Sequence, residues 1–101
     1  MPAYCFFDVV EITDPEGLEE YRRRVRATVE RHGGRYVLVG GESEVVEGEW
    51  RPTFPVLIEF PSLAQAHRWY GSEEYRGLKE LRRRTTRSNA VFMAGVMEGF
   101  R

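Results

Sequence analysis

The chain has 101 residues, enough for one domain with one hydrophobic core. Its 15 basic and 16 acidic residues nearly balance, so no net charge draws it to nucleic acid or to an anionic membrane. The single cysteine excludes a disulfide framework, and no apolar run approaches the roughly 20 residues of a membrane span. We therefore expect a soluble cytoplasmic protein whose partners are neither nucleic acids nor membranes.

The first predicted strand, 4–12, is apolar on both of its faces. Because side chains alternate along a strand, Tyr4 and Phe6 lie on one face and Phe7 lies on the other. A second predicted strand, 53–60, shows the same pattern. Both faces of these strands must be covered, and the predicted helices cover only one. We expect a second copy of the chain to cover the other face, giving a homodimer built sheet to sheet.

A helix is predicted directly after the first strand, ending at the pair Gly33-Gly34. Thr13 or Asp14 can cap its first turn, which Pro15 also favours. Apolar and aromatic residues then recur at helical spacing and form one inward stripe. The members of this stripe are Leu18, Tyr21, Val25, Thr28, Val29 and His32.

The middle of the chain alternates between strands and short helices. A strand is predicted at 35–39, and a weaker strand or hairpin arm at 42–50. Ser62 begins a short helix that ends at Gly71. A further helix then continues to about Thr86.

The last strand is predicted at 89–96, with a C-terminal tail at 97–101. The resulting order is strand, helix, strand, strand, helix pair, strand, which is the ferredoxin-like βαββαβ pattern. We therefore predict an α+β fold in which 1–96 form one domain. Its antiparallel sheet has the first and third strands at the centre and helices on one face.

Aromatic residues give the main indication of a ligand site. Tyrosine and tryptophan combine apolar area with a polar tip, as pocket linings do. We predict a pocket between the helices and the sheet that holds a small organic molecule. The candidate binding residues are Trp69, Tyr70, Tyr75, Tyr21, Arg51 and Arg87. Packing of the aromatic residues in the core and the dimer interface is an equally good interpretation.

Glu59 and His32 are candidates for proton transfer. Glu59, like Asp8, stands inside a central apolar strand, where an unpaired carboxylate is costly and a raised pKa would make it a proton acceptor. Pairing with an arginine or a backbone amide at a dimer seam is the favoured alternative. His32 could act as a general base because it is a histidine, but a histidine is also stabilised at a helix C-terminus, and we favour that structural role.

Other motifs point to surface or structural roles. Cys5, His32 and His67 lie on separate elements without ligand spacing, and no phosphate-binding glycine loop is present, so we expect neither metal nor cofactor. The arginine runs 22–24 and 82–84 fan around their helices instead of forming one patch. We expect them on the solvated surface, with ion pairs to nearby glutamates.

Six stretches in order over most of the chain carry a family resemblance: 13–21, 32–36, 45–52, 58–62, 69–75 and 86–88. They include Trp-Tyr-Gly-Ser-Glu-Glu-Tyr at 69–75 and His-Gly-Gly-Arg-Tyr at 32–36. In these stretches the chain resembles a small bacterial family catalogued as domain of unknown function thirteen-thirty. The resemblance implies a dimeric α/β barrel, shared with antibiotic-biosynthesis monooxygenases and related small-molecule enzymes, and no established reaction.

Three functions are therefore open. The first is a small-molecule site that either binds or converts its ligand without a cofactor, by oxygenation or isomerisation of an organic acid or carbonyl compound. The second is a regulatory homodimer that binds a ligand without catalysis. RNA binding is a remote third, because RNA-recognition modules share the strand order. The balanced charge and the missing glycines of that module's third strand argue against it.

Overall fold

The computed structural model describes residues 1–100. Four strands and three helices follow one another as β1 Ala3–Ile12, α1 Pro15–Arg31, β2 Arg35–Val39, β3 Pro55–Phe60, α2 Leu63–Tyr70, α3 Glu73–Thr85 and β4 Thr86–Ala94. The strands form one antiparallel sheet in the order β2-β3-β1-β4. This confirms the predicted α+β ferredoxin-like fold, with the two strongly apolar strands at its centre. Within the described residues, every helix is too short or too polar to span a bilayer.

Each helix begins at a side chain that caps it. The Asp14 carboxylate accepts a hydrogen bond of 3.2 Å from the Gly17 backbone N–H, and Pro15 occupies the first turn of α1. Ser62 and Ser72 cap α2 and α3 in the same way, through hydroxyls that accept backbone N–H bonds of 3.1 and 3.2 Å. These caps satisfy donors that a helix start leaves without partners, so the local sequence fixes where the helices begin.

The hydrophobic core lies between the sheet and the helices. β1 contributes Cys5 and Phe7, and β3 contributes Ile58 and Phe60. From the helices come Val29, Ala66, Trp69, Tyr75 and Leu78. The Trp69 and Tyr75 rings lie 4.2 Å apart between centroids, which makes aromatic packing the centre of the core.

The opposite side of the sheet, the helix-free face, is also apolar. Its strand pairing places Tyr4 opposite Met93, and Phe6 opposite both Val91 and Leu57. Val91 and Met93 are 50% and 49% exposed, and Phe6 is half-buried. This agrees with the sequence pattern, in which both faces of the central strands are apolar.

The prediction of a weaker strand or hairpin arm at 42–50 is wrong. Between β2 and β3 the described chain forms no strand, and runs instead as an irregular connection. Gly40, Gly41 and Gly48 adopt positive φ angles of 64°, 86° and 84° there, which lie outside the range of an extended strand. The connection continues to Phe54, so β3 starts at Pro55, two residues later than its predicted start at Thr53.

The last strand also differs from its prediction. β4 begins at Thr86, three residues earlier than predicted, and ends at Ala94. It follows α3 without a loop because two hydroxyls satisfy the last helical carbonyls. Thr85 Oγ1 donates to the Leu81 carbonyl at 2.7 Å, and Thr86 Oγ1 donates to the Arg82 carbonyl at 2.6 Å. Local side-chain bonds therefore replace a turn at this junction.

Candidate functional site

A cavity of about 310 Å³ lies between α1 and the sheet, and is named the α1 cavity below. Its walls are mostly apolar side chains from both layers, among them Phe7, Leu18, Val25, Val56 and Ile58. Its polar lining consists of two tyrosines and three arginines: Tyr21, Tyr36, Arg22, Arg26 and Arg82. Among the described residues no carboxylate and no histidine lines it. The α1 cavity therefore offers apolar area together with hydrogen-bond donors and positive charge.

Arg82 is the unusual member of this lining. Only 5% of the residue is exposed, and within residues 1–100 no carboxylate lies at ion-pair distance from it. Its Nε donates to the Tyr75 hydroxyl at 3.4 Å, and its guanidinium carbon lies 5.2 Å from the centroid of the Phe7 ring. Burial lowers the pKa of Arg82, but Tyr75 and the neighbouring tyrosines raise it by more, so the guanidinium stays charged.

Two buried tyrosines join Arg82 in a short chain of hydrogen bonds. The hydroxyls of Tyr21 and Tyr75 lie 2.9 Å apart. Burial, together with the neighbouring Tyr75, raises the pKa of Tyr21 well above its usual value, and burial also raises the pKa of Tyr75. Both phenols are therefore neutral at physiological pH. Tyr36, on the β2 side of the α1 cavity, has a pKa raised to about 12 by burial.

The other two arginines of the lining lie at its outer edge. Arg22 is exposed, with its guanidinium carbon 5.7 Å from the centroid of the Phe54 ring. Arg26 is also exposed, and its Nε donates to the Glu30 carboxylate at 3.1 Å. These two cations differ from Arg82 in being solvated, so burial does not penalise their charge.

The structure separates the residues predicted to bind a ligand. Tyr21 lines the α1 cavity, and Tyr75 lies behind it. Trp69 is fully buried in the core, where its Nε1 donates to the Thr28 hydroxyl at 2.9 Å. Tyr70 is half-buried beside α3, with Lys79 Nζ 4.3 Å from its ring centroid. Ligand contacts by Trp69 and Tyr70 stay predictions, and neither residue lines this cavity.

The two predicted arginine contacts lie elsewhere on the surface. Arg51 is exposed and its Nη1 donates to the Ser43 carbonyl at 3.1 Å, which holds the connection between β2 and β3. Arg87 is exposed on β4, where its Nε lies 3.4 Å from the Glu11 carboxylate. Neither lines the α1 cavity, and their role in binding likewise stays a prediction.

Glu59 and Asp8 both find partners, and neither carboxylate lines the α1 cavity. On the helix-free face, Glu59 Oε1 lies 2.5 Å from Arg35 Nη2, although no aligned hydrogen bond reaches that oxygen, and Tyr4 donates to Oε2 at 3.4 Å. Asp8 accepts backbone N–H bonds of 2.9 and 2.7 Å from Thr53 and Phe54. From the sequence we favoured pairing of each carboxylate with an arginine or a backbone amide, and these contacts are of that kind.

His32 lies where a helix ends. It is the residue after α1, and its Nδ1 lies 2.8 Å from the Thr28 carbonyl and 3.4 Å from the Glu74 carboxylate. Glu74 also accepts a bond of 2.9 Å from Arg31 Nε. Proton transfer by His32 or Glu59 stays a prediction, and neither side chain reaches the α1 cavity. In residues 1–100, no three histidine, cysteine or acidic side chains cluster in a way that could hold a metal ion.

Arg82 was missed as a site residue. The sequence placed the whole run 82–84 on the solvated surface, which is wrong for Arg82 because its side chain lies on the inward stripe of α3. That stripe contains Tyr75, Leu78, Leu81, Arg82 and Thr85. The spacing from Tyr75 to Arg82 is seven residues, two helical turns, and would have indicated the inward position.

Solved structures share this fold at low sequence identity. A structural genomics target of unknown function from Rhodopseudomonas palustris is 18% identical, with a TM-score of 0.72 over 95% of this chain and 83% of that one. SnoaB, a cofactor-independent oxygenase from Streptomyces nogalater, is 13% identical, with a TM-score of 0.59 over 99% of this chain and 96% of that one. At these identities the likeness concerns the fold alone.

A further neighbour is described as dimeric. It is a protein of unknown function with a ferredoxin-like fold from Bacteroides fragilis, 13% identical, with a TM-score of 0.55 over 91% of this chain and 94% of that one. Comparison with curated proteins gives no match. The sequence profile of one family, described as a domain of unknown function (DUF1330), matches residues 2–96. The chain therefore belongs to the DUF1330 family.

Proposed function

We propose that this protein binds a small, largely apolar organic molecule in the α1 cavity. The observation that carries the proposal is the cavity itself, about 310 Å³ of space with mostly apolar walls and a few polar groups inside. This volume lies at the lower end of the range of about 300–1,000 Å³ that ligand pockets occupy. The fold likeness to SnoaB, a cofactor-independent oxygenase, supports a small-molecule role at the level of fold.

Binding without catalysis fits the lining better than conversion does. General base catalysis needs a group that takes a proton at working pH, usually histidine or a carboxylate. The described lining contains neither, and its two tyrosines have raised pKa values because they are buried. Incubating the protein with a bound ligand in air, followed by mass spectrometry of the ligand, tests this directly. An unchanged ligand supports binding, and an oxygenated or isomerised product favours the enzyme.

Thermal denaturation against a library of neutral, anionic and cationic compounds tests the binding site. A ligand at a hundred times its Kd stabilises the folded state by about 2.7 kcal/mol, a shift on the order of 10 °C for a domain of this size. Val56→Phe fills the α1 cavity and should abolish the shift. The matched control is Val46→Phe, since Val46 is 87% exposed in the connection between β2 and β3.

We also propose that the protein is a homodimer that buries the helix-free face. Val91 and Met93 expose about half of their surface on β4, and Leu38 exposes 40% on β2. Contiguous apolar surface of this kind is typical of protein interfaces, and the neighbour from Bacteroides fragilis is described as dimeric.

Analytical ultracentrifugation at micromolar concentration measures the assembly. We expect a dimer for the unmodified chain and a monomer for Val91→Glu, because the new carboxylate faces Phe6 in the middle of the proposed interface. Ala64→Glu, on the exposed side of α2, is the control and should stay dimeric. A stable, folded monomer of the unmodified chain contradicts the proposal.

A further inference from the structure

We infer that the ligand of the α1 cavity is an apolar organic acid whose anionic group binds the buried guanidinium of Arg82. This inference rests on the proposed function, since it assigns the chemical class of the molecule that fills the same cavity. The supporting observation is that Arg82, a nearly inaccessible cation without a counter-charge, lines a mostly apolar cavity that has no acidic side chain in its lining.

The terminal nitrogens of Arg82 are the groups left without partners. Nε is occupied by the Tyr75 hydroxyl, but within the described residues no hydrogen bond engages Nη1 or Nη2. Among residues 1–100, one fully enclosed side-chain nitrogen or oxygen lacks a hydrogen bond, and it belongs to Glu59. The two terminal nitrogens of Arg82 are therefore not fully enclosed. Arg82 lines the α1 cavity, and we infer that these two donors face that space. A planar guanidinium with two free donors matches a carboxylate, which it binds through two parallel hydrogen bonds.

The tyrosine pair adds a third donor. Tyr75 is fully buried, and its hydroxyl proton has one acceptor among the described residues, the Tyr21 oxygen at 2.9 Å. Leaving a buried hydroxyl without an acceptor is unfavourable, so Tyr75 donates to Tyr21. The proton of Tyr21 is then free to point into the cavity that Tyr21 lines. Arg82 and Tyr21 together present a positive charge and hydrogen-bond donors, and no carboxylate lines the cavity, which favours a negatively charged group over a neutral or positive one.

The rest of the cavity defines the body and the route of the ligand. Val25, Val56 and Ile58 line it with apolar carbon, so the part of the ligand beyond its anionic group is aliphatic or aromatic. Arg22 and Arg26 stand exposed at the outer edge of the lining.

Arg82 should destabilise the protein when the cavity is empty. A buried charge without a partner is unfavourable, whereas an apolar side chain of similar length would pack against Phe7 and Tyr75 without that penalty. A residue retained for binding, and not for folding, is expected to show this opposition between stability and function. Arg82 therefore differs from a structural arginine in a way that experiment can separate.

The experiment measures dissociation constants by calorimetry and melting temperatures for matched probes. The acids are phenylacetate and benzoate, with phenylacetamide, benzamide and benzylamine as neutral and cationic counterparts. We expect the intact chain to bind the acids at least tenfold more tightly than the amides. Arg82→Met should weaken acid binding roughly a hundredfold, as loss of one partner of a buried charge pair does. Tyr21→Phe should weaken it roughly tenfold, the effect of losing one hydrogen bond to a charged group.

Arg82→Met should also melt at the same temperature as the unmodified free protein or higher. Arg83→Met is the matched control, since the neighbouring arginine is exposed, and should change neither affinity nor preference. Arg82→Lys keeps the charge and should retain the preference for acids over amides with weaker binding. This variant keeps the test valid if the methionine variant folds poorly.

Two results overturn the inference. One is an unmodified chain that binds the amides or benzylamine as tightly as the acids. The other is an Arg82→Met variant that melts several degrees lower and keeps its acid affinity, which would make Arg82 a structural residue. In both cases small molecules still bind, so the proposed function survives. If no compound of any class binds, and Val56→Phe changes only stability, the proposed function itself fails.

Discussion

The indole Nε1 of Trp69 donates a hydrogen bond of 2.9 Å to the hydroxyl of Thr28, which in turn donates to the Val25 carbonyl at 2.7 Å. All three residues are buried. The bond joins the second helix to the first inside the core, and it supplies the partner that a buried indole N–H requires.

Thr28→Val should therefore destabilise the fold although it preserves the shape of the side chain. The substitution leaves the Trp69 N–H buried without an acceptor, and we expect a loss of about 1–3 kcal/mol in the free energy of unfolding. Urea denaturation followed by tryptophan fluorescence measures it. Thr28→Ser keeps the hydroxyl and is the control. An equal loss in both variants would assign the effect to packing instead.

Asp8→Ala should loosen the start of β3. The carboxylate accepts hydrogen bonds from the backbone N–H groups of Thr53 and Phe54, and alanine leaves both without it. We expect a loss of about 1–3 kcal/mol in stability and faster amide exchange at 53 and 54. Asp8→Asn keeps one acceptor oxygen and should lose less. Unchanged exchange in the alanine variant would contradict a role for this carboxylate in holding the segment.

Gly34→Ala should destabilise the protein, whereas Gly77→Ala should stabilise it. A Cβ at Gly34 would lie 2.6 Å from the Phe60 ring and 2.8 Å from Val29. The core would be overpacked, and we expect the free energy of unfolding to fall by about 1–3 kcal/mol. At Gly77, inside α3, the new methyl meets nothing within 4 Å, and alanine favours the helix by about 0.5–1 kcal/mol. Thermal denaturation of the two variants should show shifts of opposite sign.

Cys5 should be unreactive in the folded protein. Burial raises the pKa of its thiol to about 12, and the thiolate is the reactive form. At pH 8 we expect a disulfide reagent such as DTNB to modify Cys5 slowly in buffer and rapidly in denaturant. Because the chain has one cysteine, the absorbance change reports on this site alone. Rapid reaction in buffer would mean that the central strand opens readily.

Stability should also fall in alkali. The thiol of Cys5 ionises near 9.0 in the unfolded chain and near 12 in the folded one, so its contribution to stability is complete below pH 9 and is lost as the pH rises toward 12. Tyr36 adds a similar loss from pH 10 to about 12. Melting temperatures between pH 8 and 11 measure the decline. Cys5→Ala should remove the part that begins near pH 9 and leave the later part.

The parts of the fold that depend on neighbouring residues were predicted from the sequence. Alternation identified the central strands, and the candidate caps Asp14 and Ser62 located the first two helix starts, because both signals lie within a few residues of the feature they specify. The start of β4 was predicted too late because the Thr85 and Thr86 hydroxyls bond back to helical carbonyls and make a loop unnecessary.

The site was harder to predict because its residues come from distant parts of the chain. Phe7, Tyr36 and Arg82 lie far apart in sequence and meet only when the sheet and helices assemble. Aromatic content indicated a ligand pocket in general, and Tyr21 was the one predicted contact that lines the α1 cavity. The burial of Arg82 was not predicted, because a run of three arginines does not by itself show which of the three side chains points inward.

The direct passage from α3 into β4 limits how this family can vary in length. One extra residue after Thr85 would either turn Phe92 to the opposite side of the sheet or rotate Arg82 by about 100° around its helix axis. Either change removes a side chain from its place, so insertions and deletions should be rare at 85–86 among related sequences. The irregular segment 40–54 is free of that restriction, and length differences among relatives should accumulate there.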